Sequence, residues 1–357
     1  MNKHKVTLND IAEQAGVSKA SVSMILSGRE ASFAPKTVAL VKQIAIASNY
    51  STAKSTAAAN MTAMRKIILL VSPNMYNPYY TQTIQSIENS AWNSGYKTLS
   101  FNTYRSPDRE TELMSMAVNC EMAGIIFTYL PMVTSELSTF IDKKIPIIVM
   151  GDPEWAADID MVNINYYHAG ILMATHLIEL GHRHVAFLST TMQEGNLQKR
   201  KRLQGVLDTF DKLKEETSVT VKSMDVQPET ELTQNRIEID VGKKLVDQCI
   251  DNEKITAFIG VNDMVAYGII DRLLELGKRI PEDYSVCGYD NIFPSSFKEI
   301  SLTTIDLGIE KKGQLAFSML CNKIEQRKGS KTSNDTIARI EYKVRLIVRN
   351  SSGKPRQ

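Results

Sequence analysis

The first fifty residues place apolar side chains at helical spacing, while the rest of the chain alternates short apolar runs with helix-length amphipathic stretches. Leu8, Ile11 and Ala12 share one face of a helix over about Leu8 to Gln14. Thr7, with Asp10 three residues on, has the form of a capping box. Gly16 supplies a tight turn, Ser18 stands at a cap position, and Val22, Ile25 and Leu26 stripe a second helix over Ala20 to Ser27. After Gly28, Pro35 opens a third helix whose Val38, Val41, Ile44 and Ala45 complete a small core. Two short helices joined by a turn of three or four residues predict a helix-turn-helix.

Beyond residue 66 the pattern changes period. Strand-like runs occur at Ile67 to Val71, Thr98 to Phe101, Gly124 to Phe127, Pro146 to Val149, Val185 to Leu188, Ala257 to Val261 and Tyr284 to Gly288, with helix-length segments between them. Fully apolar strands alternating with helices predict parallel sheets covered on both faces, here in two lobes. Ligands of such sheets bind beyond the carboxyl ends of the strands. The residues there are Tyr79 and Tyr80 after the first run, Thr128 after the third, Asp152 after the fourth, Asn262 and Asp263 after the penultimate and Asp290 after the last. Aromatic rings and paired hydrogen-bonding groups suit a small polyhydroxylated ligand. Asp263 is read instead as a helix-start residue.

Charge divides along the chain in a way its net value of +2 conceals. Residues 1–66 carry nine Lys/Arg against three Asp/Glu, or +6, and the remainder carries 33 against 37, or −4. A basic head on an acidic body suits a polyanion partner for the head alone. In a helix-turn-helix the second helix enters the major groove, which presents Lys19, Ala20 and Met24 to base edges, with Ser18, Ser21 and Ser23 within reach of phosphates. Thr7, Ser27 and Tyr50 complete the DNA-facing set expected of the head proper.

The remaining features exclude function classes. At 357 residues and 43% hydrophobic, the chain is sized for two or three packed domains. Cys120, Cys249, Cys287 and Cys321 lack metal or redox spacing and read as reduced thiols. No apolar run reaches membrane-spanning length and the amino-terminal stretch has no apolar export core, so a cytoplasmic protein is expected. His182 and His184 alternate on the approach to a strand, facing opposite sides, and are read as structural rather than metal ligands. No nucleotide-loop, nucleophile-elbow or zinc-protease motif occurs, so no catalytic residue, metal or cofactor is assigned.

The stretch "VTLNDIAEQAGVSKASVSMILSG" (residues 6–28) resembles the opening of the lactose/galactose repressor (LacI/GalR) family. It fills the family's pattern at Thr7, Asp10, Ala12, Ala15, Gly16, Val17, Ser18, Val22, Ser23 and Gly28. The similarity continues through "NPYY" (77–80), "AGIIF" (123–127), "HLIELGHRHVAFL" (176–188), "VNDMVAYGII" (261–270), "SVCGYDN" (285–291) and "SLTTI" (301–305). It implies an α/β protein with a helix-turn-helix head and a two-lobed, periplasmic-binding-protein-like core of parallel sheets. It also implies a homodimer that binds double-stranded operator DNA and is controlled by a small-molecule effector, a sugar or sugar phosphate. By resemblance, effector roles fall on Tyr79, Tyr80, Asp152, Arg202, Asn262 and Asp290, with Thr128 added from its strand-end position.

Three departures qualify the likeness. Met24 stands where the family often has a guanine-reading Arg, Ala34 where it has a Ser cap, and Ala59 where its hinge helix carries a minor-groove leucine, with Met61 the alternative wedge. The implied organisation is a head at 1–50, a hinge at 51–64, a first lobe from 65–163 plus 294–322, a second from 164–293 plus 323–350, and a tail at 351–357. The expected function is a sugar-responsive repressor of carbohydrate-utilisation genes. The alternatives are a regulator with a phosphocarrier-protein coeffector, a nucleobase-responsive repressor, and, from another class, a solute-binding protein, which the DNA-binding head disfavours.

Overall fold

The computed structural model describes residues 6–48, 50, 66–133, 137, 145–151, 159–192, 196–213, 216–227, 230, 233–329 and 336–356. They form two compact units, residues 1–66 and 67–357. The expected hinge, with Ala59 and Met61, lies outside the described residues.

The first unit is three helices, α1 (Leu8–Ala15), α2 (Lys19–Leu26) and α3 (Pro35–Ala47). Both expected caps form. Thr7 and Asp10 make a complete capping box on α1, and the Ser18 hydroxyl accepts the Ser21 N–H at 3.1 Å on α2. Such caps contribute about 1 kcal/mol each. Gly16 closes α1 at φ 64, in the left-handed region that favours glycine, and so permits the short turn. The third helix has no side-chain cap at Ala34. Ile11, Ala12, Val22, Ile25, Val41 and Ala45 are the buried centre, with contributions from each expected stripe.

The second unit holds two six-stranded sheets. The first contains β1 (Ile67–Ser72), β2 (Lys97–Asn102), β3 (Gly124–Phe127), β4 (Ile147–Gly151), β5 (Asp160–Ile164) and β11 (Arg339–Tyr342), in the order β11-β5-β4-β3-β1-β2, with every pairing parallel. The second contains β6 (His184–Thr190), β7 (Ser218–Met224), β8 (Ala257–Gly260), β9 (Ser285–Asp290), β10 (Thr303–Asp306) and β12 (Arg345–Ile347), in the order β12-β10-β9-β8-β6-β7. Only its edge pair β10–β12 runs antiparallel. Helices α4 (Pro78–Asn93), α5 (Pro107–Asn119) and α10 (Ile309–Gly329) belong to the first sheet, and α6 (Tyr166–Leu180), α7 (Leu197–Asp211), α8 (Ile237–Asp247) and α9 (Asp263–Glu275) to the second.

All seven expected strands form, and among the described residues five more accompany them. Two of the additions show why hydrophobic runs missed them. In β5 the apolar run is broken by Asp160 and Asn163, both buried, whose polar groups are met by Ala338 N–H at 2.6 Å, Lys323 at 2.9 Å and Glu341 at 3.3 Å. Edge strand β7 leaves Ser218, Val221 and Ser223 exposed and mixes Ser, Thr and Lys with its valines, so it offers no continuous apolar run.

The lobe boundaries differ from the expected ones in three places. Within 294–322, assigned to the first lobe, β10 pairs in parallel with β9 of the second sheet, because its Thr303, Thr304 and Ile305 are fully buried between two second-lobe strands. Within 323–350, assigned to the second lobe, β11 pairs with β5 of the first sheet. The expected tail is also docked. The Ser351 hydroxyl donates to Val286 O at 2.6 Å and accepts the Thr303 N–H at 2.8 Å, and Gly353 N–H reaches the Ser285 hydroxyl at 3.0 Å. The chain therefore crosses between lobes several times, and its final residues finish the hydrogen bonding of β9 and β10.

Candidate functional site

In the head, α2 buries Val22 and Ile25 and leaves Lys19, Ala20, Ser23 and Met24 exposed on the opposite face. The other expected contacts are engaged within the head. Thr7 and Ser18 are caps, Ser21 shares a 2.9 Å bond with Ser18, and the Ser27 hydroxyl donates to Met24 O at 3.0 Å. Tyr50 packs its side chain on the head core.

In the second unit a cavity of about 230 Å³ lies between the two lobes, at the carboxyl ends of their strands. The loop after β1 gives Asn74 and Asn77, the start of α4 gives Tyr79 and Tyr80, and the segments after β2 and β3 give Arg105 and Leu130. From the second lobe, β6 is followed by Thr191, Asn196, Lys199 and Arg202, β7 by Asp225 and Gln227, and β8 by Val261 and Asn262, while β9 ends on Asp290. Glu238 on α8 completes the wall.

Of the expected effector residues, Tyr79, Tyr80, Arg202, Asn262 and Asp290 line this cavity. Thr128 does not. It is buried and its hydroxyl donates to Val71 O at 3.2 Å, closing the β1–β3 ladder, so its expected effector role is corrected to a structural one. Asp152 lies outside the described residues. Asp263 is structural as expected, since its carboxylate accepts from Ile292 N–H and the Ser295 and Thr304 hydroxyls. His182 is buried between Thr256, Ser285 and Gly353, and His184 bonds Ser218. Reading strand ends did not find Asn74, Arg105, Asp225, Gln227 or Glu238. The Asp225–Gln227 segment follows the edge strand that apolar patterning missed.

The site is polar but balanced. Three cations (Arg105, Lys199, Arg202) face three carboxylates (Asp225, Glu238, Asp290). Arg202 donates to Val261 O at 2.5 Å and to Asp290 at 3.2 Å, while its Nε is buried without a partner. Its guanidinium also lies over the rings of Tyr166, at 5.1 Å, and Tyr289, at 5.0 Å. Burial pushes the Asp290 carboxyl up to about 6, against the pull of Arg202 and Lys312. Lys312 on α10 is itself buried. Its ammonium donates to the Tyr79 hydroxyl at 2.7 Å, and burial lowers it to about 7. Tyr79 meets Tyr80 edge to face at 5.1 Å, so the first lobe offers the cavity an aromatic corner whose orientation Lys312 fixes.

Comparison with known proteins decides the family. The chain is 30% identical over 351 residues to the HTH-type transcriptional repressor PurR of Proteus mirabilis, covering 97% of this chain and 96% of that one. The chain belongs to the LacI/GalR family of DNA-binding transcriptional repressors. The periplasmic binding protein-like domain family matches residues 174–352 of the repressor. A PurR repressor of Mannheimia succiniciproducens is 27% identical over 98% of this chain and 99% of its own. A LacI-family regulator from Silicibacter pomeroyi superposes with a TM-score of 0.74 at 19% identity, covering 97% of the repressor and 99% of that chain. One from Enterococcus faecium, solved with bound ribose, gives 0.67 at 22% identity, covering 81% and 99%. At these identities the superpositions speak for the fold. Among the described residues no helix is long and apolar enough to cross a membrane.

Proposed function

We propose that this repressor acts as a cytoplasmic homodimer whose α2 helices read two operator half-sites, and that a neutral, single-ring sugar bound in the interlobe cavity controls its DNA affinity. The observation that carries the effector class is the cavity lining. Cations and carboxylates are equal in number, and six side-chain amides (Asn74, Asn77, Asn196, Gln198, Gln227 and Asn262) surround a tyrosine corner. Amides and carboxylates grip vicinal hydroxyls, and an aromatic ring packs on a sugar face. A phosphate would instead call for an excess of uncommitted cations. At about 230 Å³ the cavity falls below the ~300–1,000 Å³ of drug-sized sites, which suits a ligand of one ring.

A ligand held by both lobes favours the closed core by its differential affinity, and only that difference alters operator binding. Family members of the same fold solved with ribose and with cellobiose are consistent with a sugar. A nucleobase is the second reading, favoured by the PurR repressors among the relatives. The test is a thermal-shift and calorimetric screen of neutral monosaccharides, sugar phosphates and nucleobases, paired with operator retardation by the full-length protein. Stabilisation by a neutral monosaccharide alone is the expected result, because a ligand of the folded state raises stability by mass action. Stabilisation by a nucleobase alone overturns the sugar reading.

A further inference from the structure

Two asparagines that approach each other across the cleft share one carboxylate. Asn77 caps α4 of the first lobe, its Oδ1 accepting the Tyr79 N–H at 2.9 Å. Asn262 caps α9 of the second lobe, its Oδ1 accepting the Val265 N–H at 3.0 Å. Each amide oxygen is therefore committed to its helix, which fixes the direction of each Nδ2. Both Nδ2 groups end on Glu238, Asn77 on Oε2 at 2.9 Å and Asn262 on Oε1 at 2.6 Å.

Three features make this more than a chance contact. The Asn77–Glu238 bond joins the lobes directly, across 161 residues of sequence. The carboxylate sits beside the amino-terminal ends of two long helices, of 16 and 13 residues, whose dipoles favour a negative charge there. All three side chains line the cavity to which the effector is assigned. A carboxylate only accepts, and each of its oxygens can take more than one hydrogen bond. A second anion brought against Glu238 meets the like charge of that carboxylate itself, and of the three cations in the lining Arg202 is already paired with Asp290.

We infer that Glu238 is both the interlobe latch of this repressor and the filter that admits effectors donating O–H or N–H groups while rejecting those with an anionic group at that end. The filter rests on the cavity being the effector site, as proposed above; the latch does not.

The two parts are tested separately on the full-length protein. Asn77→Asp keeps the helix cap but sets a carboxylate against Glu238. Glu238→Gln keeps the shape but turns one oxygen into a donor. Hydrogen–deuterium exchange of segments 74–84 and 262–270 is expected to rise about tenfold in each single variant. It should return towards the native rate when the two substitutions are combined, because the amide introduced at position 238 donates to the carboxylate introduced at position 77 and still accepts from Asn262. Unchanged exchange in both single variants, or no recovery in the double, overturns the latch. For the filter, neutral hexoses are compared with their uronic acids by thermal shift. A native response confined to the neutral sugars, relaxed towards uronic acids in Glu238→Gln, is the expected result. A native response to uronic acids equal to that for neutral sugars overturns the filter. If only nucleobases bind, the sugar reading fails while the exchange measurement still decides the latch.

Discussion

Arg202 and Asp290, 88 residues apart in sequence, form a buried ion pair of 3.2 Å on the second-lobe side of the cleft. The guanidinium expected to reach out and hold a ligand is thus already held by the carboxylate expected to help it, and by Val261 O. Asp290 occupies φ 116, in the positive-φ region that Asp and Asn tolerate better than bulkier side chains.

Arg202→Ala leaves Asp290 buried without its partner. Breaking a buried pair from one side costs about 3–5 kcal/mol, whereas removing both charges costs less. Urea denaturation should show that loss for Arg202→Ala and a smaller one for Arg202→Met combined with Asp290→Asn. Equal stability of native protein and Arg202→Ala would show that the pair contributes nothing to the fold.

The approach of α6 and α7 that positions Arg202 depends on two glycines. A Cβ on Gly205 would lie 2.1 Å from Tyr167 O, and one on Gly170 would lie 2.2 Å from Arg202 O. Both obstacles are backbone, so the helices must separate. Gly205→Ala is expected to cost at least the ~1–3 kcal/mol typical of overpacking and to weaken effector binding by moving Arg202. Calorimetric melting together with effector titration checks both effects, and native values in both would refute the close-contact argument.

His182 supplies a pH dependence away from the cleft. Gly353 O can only accept, so His182 Nε2 carries the proton in the neutral ring while Nδ1 faces the Thr256 hydroxyl at 2.7 Å. Burial lowers His182 from 6.5 to about 4. Between those values the unfolded chain binds more protons than the folded one, so stability falls as pH drops from about 6.5 towards 4 and the loss is complete below. At 1.36 kcal/mol per pH unit the loss is about 3 kcal/mol. His182→Gln should be less stable at pH 7 yet flatter across pH 4–6.5. Melting temperatures at several pH values test this, and parallel curves for the two proteins would exclude His182 as the source.

Met24 has no hydrogen-bond donor and is 37% exposed on the face of α2 proposed to read DNA. Met24→Arg should shift preference towards guanine at one half-site position by about 1–3 kcal/mol. Selection from a randomised operator library measures it. An unchanged consensus would place Met24 outside the groove.

The sequence by itself determined the local parts of this protein. Capping at Thr7 and Ser18, the three stripes of the head and the seven apolar strands are set by neighbours within one helical turn or one strand, where periodicity and side-chain chemistry act directly. Strand ends also pointed to Tyr79, Tyr80, Asn262 and Asp290, because a parallel sheet places its ligands there whatever the sequence. Tertiary structure alone decided the rest. Strands β10 and β11 are each only four residues long, and which sheet each joins depends on partners far away in the chain, Cys287–Asp290 for one and Met161–Ile164 for the other. Glu238 carries no local mark of function on its helix. Its role arises where two crossovers bring Asn77 and Asn262 to its two oxygens, and such long-range meetings follow from packing that local pattern does not encode.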